Sequence, residues 1–132
     1  MTKLAPTMKE RYEAVLPDLA KKLGRTNRLA LPRLVKIAVS AGVGKRRDKK
    51  QLALTADRLA KITGQKASPR AAKKSIASFK TRQGEVIGYV VTLRGARLWG
   101  FLDKLINVAI PRIRDFRGLE PKAVDEMGNL TI

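Results

Sequence analysis

The stretch IASFKTRQGEVIGYVVTLR, residues 76–94, decides the fold class of this 132-residue chain. Its two halves, 76–82 and 85–94, contain β-branched and aromatic residues, which favour extended strands. Gln83-Gly84 lies between the halves and is typical of a tight turn. The stretch therefore predicts a β-hairpin.

A further strand is predicted upstream, from Leu34 to Ser40. Val35, Ile37 and Val39 alternate with Lys36, so one face is apolar and the other is polar. A glycine turn and a basic loop follow this strand, and their members are Gly42, Gly44, Lys45, Arg46 and Arg47.

The first helix is indicated by Thr7 and Glu10, which have the spacing of a capping box. Gly24 is the expected end of this helix, because glycine readily adopts the left-handed conformation of a helix C-cap. Pro17 should kink the helix or begin a second one, since proline has no amide hydrogen to donate.

Two more helices are predicted on either side of the hairpin. The earlier one has a plausible cap in Asp48 and Gln51 and ends at Gly64, and its apolar residues are Leu52, Ala56, Leu59 and Ile62. The later one is limited by Pro111, and its apolar residues are Leu98, Phe101, Leu102, Leu105, Ile106 and Ala109.

Residues 65–75 are polar, basic and aperiodic, so they predict a loop that is mobile in the isolated protein. Glycines 118 and 128 indicate turns in the C-terminal tail. Helices that alternate with a hairpin predict an α+β fold. We expect a two-layer sandwich with helices packed on one face of a mostly antiparallel sheet, formed by residues 1–132 as a single domain.

The charge of the chain is strongly positive, with 29 Lys and Arg residues against 11 Asp and Glu residues and a net charge of +18. Such self-repulsion indicates a polyanionic partner, and nucleic acid is the commonest one. Residues 103–132 contain as many basic as acidic side chains, so the excess belongs to residues 1–102. Two segments, 19–47 and 58–84, contain no carboxylate at all. A phosphate backbone next to these segments would explain that exclusion, because a carboxylate there would be repelled.

Other classes of function find little support. The chain has no Cys and no His, which removes disulfides, thiolate nucleophiles and the commonest general base and metal ligand. No apolar run is as long as a membrane span, and residues 1–7 lack the apolar core of a secretory signal. Gly42-Val43-Gly44-Lys45 departs from a phosphate-binding loop at Val39 and Arg46. An enzyme, such as one that modifies RNA, is therefore disfavoured. A general nucleic-acid chaperone or a DNA-compacting protein remains an alternative.

Several motifs occur together in an order typical of one family. They are LPRLVKIAVSAGVG (31–44), ITGQK (62–66), KKSIASFK (73–80), RQG (82–84), VTLRG (91–95) and PRIRDFRGL (111–119). The chain resembles the bacterial-type large-subunit ribosomal protein L5 family over nearly its whole length. Members of that family continue past the GNLTI segment (128–132) into further strands, so the resemblance suggests a sequence that lacks those C-terminal strands.

The resemblance implies a structural constituent of the large ribosomal subunit, without enzymatic activity, cofactor or small-molecule substrate. Its expected partners are 5S rRNA in the central protuberance, large-subunit rRNA, P-site tRNA and the small-subunit head protein S13. No membrane partner is expected. The expected location is the ribosome, in the cytoplasm or an organellar matrix.

The resemblance also assigns candidate residues to three contacts. The candidates for 5S rRNA binding are Lys36, Ser40, Gly42, Gly44, Lys66, Thr92 and Arg94. The candidates for tRNA contact are Arg70, Lys73, Lys74, Lys80 and Arg82, with Phe79 either stacking on a nucleotide or buried under the hairpin. The candidates for a protein bridge are Arg112, Arg114, Asp115 and Phe116, although these charged residues could instead pair with one another.

Overall fold

The first helix, α1, spans Met8–Leu23 in a computed structural model that describes residues 6–44 and 48–132. The predicted capping box is confirmed: the Thr7 amide donates to the Glu10 carboxylate at 2.9 Å, and the Glu10 amide donates to the Thr7 hydroxyl at 3.4 Å. Gly24 ends the helix in the left-handed conformation, with φ of 60°. The helix continues through Pro17, so the predicted alternative of a second helix start there is wrong.

The first strand, β1, spans Ile37–Gly42, so it begins three residues later than predicted. Val35 precedes the strand and is 62% exposed, which contradicts its predicted place on the apolar face. The chain before β1 is instead tied to α1, because the Tyr12 hydroxyl donates to the Pro32 carbonyl at 2.9 Å. The predicted basic loop at 45–47 lies outside the described residues.

The second helix, α2, spans Lys49–Thr63 and ends at Gly64 as predicted. Asp48 is its N-cap residue, but its side chain makes no capping hydrogen bond, so that part of the predicted cap is wrong. Leu59 is buried, whereas Ile62 is 57% exposed and lies outside the buried stripe. Thr63 is buried instead, and its hydroxyl donates a hydrogen bond to the Leu59 carbonyl at 2.7 Å.

A short strand, β2, spans Ser68–Ala71, in the segment predicted to be a loop. Pro69 is tolerated there because β2 is an edge strand. The outer side of an edge strand has no neighbouring strand, so the amide hydrogen that proline lacks is not needed for pairing on that side. Ala67 and Ala72 flank the strand and are each only 7% exposed. Strand pairing and burial therefore order a segment that its composition alone marks as mobile.

The third strand, β3, spans Val86–Leu93 and is central in the sheet order β1-β3-β2, with antiparallel pairing on both sides. The prediction of β3 is confirmed, but its predicted hairpin partner is wrong. Residues 76–82 form no strand, and only a single bridge joins Ile76 to Thr81. β2 takes the position that the hairpin would have occupied.

The third helix, α3, spans Ala96–Lys104. The chain then continues as a π-helical turn at Leu105–Ala109 and a 3₁₀ turn at Ile110–Arg112. The apolar pattern predicts a regular α-helix to residue 109, so the α-helical part is shorter than predicted. A further 3₁₀ turn occurs at Pro121–Ala123. The predicted turn at Gly128 is confirmed, because the Gly128 amide donates to the Asp125 carbonyl at 3.0 Å. Gly118 has a positive φ of 97° but lies in irregular chain, so the turn predicted there is wrong.

The core lies between one face of the sheet and the helices. It contains Leu59 of α2, Leu98 of α3, and Val91 and Leu93 of β3, with Ala67 beside them. α1 packs against α3, with the rings of Tyr12 and Trp99 5.3 Å apart. The architecture confirms the predicted α+β fold with helices on one face of an antiparallel sheet.

Candidate nucleic-acid interface

The sheet face that points away from the core is the candidate interface, and we call it the open face. Alternation along β1 directs Ile37, Val39 and Ala41 into the core, so Ala38, Ser40 and Gly42 belong to the open face. The register sets each of these opposite a β3 residue: Ala38 faces Thr92, Ser40 faces Val90, and Gly42 faces Gly88. β2 adds Ser68 beside Val90 and Arg70 beside Gly88.

The floor of the open face is built mostly from small side chains. Ser40, Val90 and Ser68 form one row across all three strands, and Val90 is the largest residue in it. Gly88 is required by packing, since a Cβ atom there would lie 2.9 Å from the Ala41 carbonyl oxygen. A Cβ atom at Gly42 would meet nothing within 4 Å, so Gly42 leaves real space above the sheet. A flat floor of this kind allows a sugar-phosphate backbone to approach closely.

The charge of the open face is entirely positive. Lys36 immediately precedes β1 and Arg94 immediately follows β3, and both are exposed. Continuing the β1–β3 register by one residue would set these two cations opposite each other. Lys66 lies two residues before Ser68, so alternation places it on the same face as Ser68. Arg70 lies two residues after Ser68 on β2 and also belongs to this face. No carboxylate occurs at the alternating positions of this face, from 36 to 44, 66 to 70 and 86 to 94.

The structure brings six of the seven 5S rRNA candidates to this one face. Lys36, Ser40, Gly42, Lys66, Thr92 and Arg94 all occupy alternating positions that point away from the core, within or directly next to the strands. Gly44 differs, because it follows the end of β1 with φ of 55° and lines a neighbouring hollow.

Gln65 is a site residue that sequence reasoning missed. Its side-chain amide donates to the Thr92 carbonyl at 2.9 Å, and the Arg97 guanidinium donates to its amide oxygen at 3.4 Å. Gln65 thereby links the approach to β2 with the end of β3 that carries Thr92 and Arg94. The residue is uncharged, so a search for basic side chains passes over it, although it lies within the ITGQK motif.

The candidates for tRNA contact are divided between two places. Arg70 lies on β2 and faces Gly88 on the open face, whereas the other candidates lie in residues 72–85. We call residues 72–85 the return loop, because the chain leaves the end of β2 and returns to β3. Closeness in sequence predicts that Arg70 belongs with that loop, whereas the strand pairing places it on β2.

The return loop is held by backbone hydrogen bonds at its base and near its tip. At the base, the Ala72 amide donates to the Glu85 carbonyl at 2.8 Å, and the Gly84 amide donates to the Ala72 carbonyl at 3.0 Å. Near the tip, Ile76 and Thr81 exchange backbone hydrogen bonds at 3.0 and 3.2 Å. The loop therefore presents Lys73 and Lys74 from a fixed frame.

The bridge candidates lie at the end of the 3₁₀ turn Ile110–Arg112 and on the turn that follows it. Asp115 has φ of 53°, which marks a tight turn, and Phe116 is 40% exposed. Across residues 6–44 and 48–132, no ion pair joins Asp115 to Arg112 or Arg114. The alternative of mutual pairing is therefore wrong, and these side chains are exposed to solvent.

Neither a cluster of metal-binding side chains nor a membrane-spanning helix occurs in the part of the chain that the structure describes. No group of three or more Asp and Glu side chains within them could hold a metal ion. No helix in residues 6–44 and 48–132 is long and apolar enough to cross a bilayer. Asp125 accepts hydrogen bonds from the backbone and side-chain amides of Asn129, and these bonds lower the pKa of its carboxyl. That carboxylate therefore stabilises the tail turn.

A high positive charge and a carboxylate-free sheet face are together typical of nucleic-acid-binding proteins. Comparison with known proteins defines the family. Residues 27–82 match the family model for ribosomal protein L5, and residues 86–132 match the model for the C-terminus of the same ribosomal family.

Curated relatives are similar over almost the whole chain. The large ribosomal subunit protein uL5 of Nocardia farcinica is 50% identical over 131 residues, which cover 98% of this chain and 70% of the relative. The uL5 of Parasynechococcus marenigrum is 49% identical over 96% of this chain and 72% of its own. The uL5 of Anaeromyxobacter dehalogenans is 47% identical over 98% and 73%. The chain therefore belongs to the ribosomal protein L5 family, whose members are structural constituents of the large ribosomal subunit and not enzymes.

Proposed function

We propose that this protein binds 5S rRNA through the open face and helps attach it to the large subunit in the central protuberance. The observation that carries the proposal is the convergence of Lys36, Lys66 and Arg94 around a floor of small residues without a carboxylate. Lysine and arginine neutralise phosphates, and Arg94 has the forked geometry that fits phosphate oxygens. The Thr92 hydroxyl can hydrogen-bond to ribose or phosphate.

Two further contacts belong to the same proposal. The return loop contacts P-site tRNA, with Lys73, Lys74, Lys80 and Arg82 as the phosphate-binding residues. The turn carrying Arg112, Arg114, Asp115 and Phe116 contacts the small-subunit head protein S13, because mixed charges and an exposed ring suit a protein partner. The protein acts bound to the ribosome, next to large-subunit rRNA.

The primary test compares 5S rRNA affinity for Arg94→Ala with that for Arg58→Ala. Arg58 is an exposed arginine on α2, so its removal changes the net charge equally without touching the open face. We expect Arg94→Ala to weaken binding about tenfold, as for the loss of a charge-assisted contact, and Arg58→Ala to weaken it less than twofold. Arg94→Lys should recover only part of the loss, because lysine lacks the planar fork. Equal losses for the two alanine variants would contradict a defined site.

A second test separates this proposal from a general nucleic-acid chaperone or DNA-compacting protein. Unlabelled duplex DNA should compete poorly with labelled 5S rRNA at 150 mM salt. The affinity for 5S rRNA should fall by about a thousandfold or more between 50 and 200 mM salt if six to ten phosphates are neutralised. Equal competition by DNA and 5S rRNA would favour the chaperone, and a slope equivalent to one or two contacts would contradict the electrostatic basis of binding.

A further inference from the structure

A second candidate RNA site lies beside the return loop, at the end of the sheet where β1 finishes. An open hollow of about 570 Å³ is present there, which falls within the roughly 300–1,000 Å³ range of small-ligand sites. Its apolar walls are formed by Ala72, Ile76, Phe79 and Ile87, and Lys73 and Lys74 also line it.

Three apolar residues of the hollow are partly exposed to solvent. Phe79 is 68% exposed, Ile76 is 46% exposed and Ile87 is 40% exposed. Ile87 lies on β3 but outside the core cluster. The hydrogen bonds of the return loop hold these residues in place, so the hollow is formed before any partner arrives.

The charge around the hollow indicates the kind of partner. Lys73 and Lys74 are exposed, and no carboxylate occurs between Asp57 and Glu85 in the sequence. An apolar hollow with an aromatic ring and adjacent lysines is complementary to one unstacked nucleotide, with the base against the ring and the phosphates on the ammonium groups.

The hollow is separate from the cations of the open face. Lys36 and Arg94 lie at the Ile37–Leu93 end of the sheet, whereas Gly44 and Ile87 lie at the Gly42–Gly88 end. The six residues of β1 alone span roughly 20 Å, at about 3.3 Å per residue. The two ends can therefore contact two different RNA molecules.

We propose that this hollow binds an unstacked nucleotide of tRNA, with its base on Phe79 and its phosphates on Lys73 and Lys74. The inference rests on the proposed tRNA contact of the return loop and adds base capture to it. A contact made only by lysines would recognise charge, whereas a base in the hollow would also require a nucleotide that is free of stacking and pairing.

The test measures the affinity of the full chain for a tRNA transcript, a single-stranded oligoribonucleotide of twelve nucleotides, an RNA duplex of equal charge, and 5S rRNA. Phe79→Ala should weaken binding of the tRNA and the single strand roughly fivefold to a hundredfold, as for the loss of one base–aromatic stack. Phe79→Trp should retain most of the affinity. Leu29→Ala, which removes another exposed apolar side chain, should change tRNA and single-strand affinity less than twofold.

Salt separates stacking from charge. The loss caused by Phe79→Ala should persist between 50 and 200 mM salt, because stacking is not screened. The losses caused by Lys73→Ala and Lys74→Ala should shrink over the same range. Thermal melts of the variants check their folding, and little change is expected for the exposed Phe79.

Three results would overturn base capture. They are equal losses from Phe79→Ala and Leu29→Ala, equal weakening of duplex and single-strand binding by Phe79→Ala, and a loss for 5S rRNA as large as that for tRNA. The Arg94 measurement distinguishes this failure from failure of the proposed 5S rRNA site. If Arg94→Ala weakens 5S rRNA binding while Phe79→Ala changes nothing, only base capture is wrong.

Discussion

The two faces of the same three strands differ in burial and in side-chain chemistry. On the core face, Leu93 and Val91 are 0% and 1% exposed and pack against α2 and α3. On the open face, the neighbours Thr92 and Arg94 are exposed and carry polar or basic groups. Because side chains alternate along a strand, one residue stabilises the fold and the next is available for RNA. We therefore expect substitutions at adjacent residues to change stability and the proposed RNA binding separately.

The largest expected effect is a difference in stability between substitutions at Leu93 and Thr92, which are adjacent in β3 but lie on opposite faces of the sheet. Leu93→Ala should lower the free energy of unfolding by about 2–5 kcal/mol, since it removes a fully buried side chain and leaves a cavity. Thr92→Ala should change it by less than about 0.5 kcal/mol while weakening 5S rRNA binding. Denaturant unfolding and RNA titration of both variants provide the measurements. A stability loss at Thr92 similar to that at Leu93 would contradict the division between the faces.

Two glycines that face each other provide the next comparison. Gly88→Ala should destabilise the protein by about 1–3 kcal/mol, because the new methyl group would lie 2.9 Å from the Ala41 carbonyl oxygen and force the strands to shift. Gly42→Ala meets nothing within 4 Å, so the fold should remain stable while the methyl group obstructs the open face. We expect weaker 5S rRNA binding by Gly42→Ala with an unchanged melting temperature. Unchanged binding would show that RNA does not approach the floor at that point.

A smaller effect is expected at Gln65, which contacts the end of β3 that carries Thr92 and Arg94. Gln65→Ala removes its bond to the Thr92 carbonyl and should cost about 0.5–1.5 kcal/mol of stability. Binding of 5S rRNA should weaken less than for Arg94→Ala, because Gln65 positions the site and carries no charge. A larger loss of binding than at Arg94 would indicate that Gln65 contacts RNA directly.

Local signals in the sequence were sufficient for several parts of the fold. The capping box at Thr7 and Glu10, the helix ends at Gly24 and Gly64, and strand β3 all depend on short-range patterns, and all are present in the structure. The alternation that predicted apolar faces also explains why six of the seven 5S rRNA candidates share one face.

Strand β2 could not be predicted from local signals. Its sequence, Ser-Pro-Arg-Ala, contains no β-branched or aromatic residue, and it becomes a strand only because β3 offers an edge to pair with. The same long-range pairing moves Arg70 onto the open face and leaves Ile76 and Phe79 in the return loop. Amide exchange should therefore show protection within residues 68–71, in place of the mobility that composition suggests.

The most direct test of the open face as the RNA site places a negative charge at its centre. Ser40 lies in the row that crosses all three strands, opposite Val90 and in line with Ser68. Ser40→Asp should weaken 5S rRNA binding at least about tenfold, because the new carboxylate repels phosphate. Ser40→Asn introduces an uncharged side chain of nearly the same shape as Asp, so its affinity for 5S rRNA should remain within about twofold of that of the unmodified protein. Equal affinity of the Asp and Asn variants for 5S rRNA, with both folded, would contradict binding of RNA at this face.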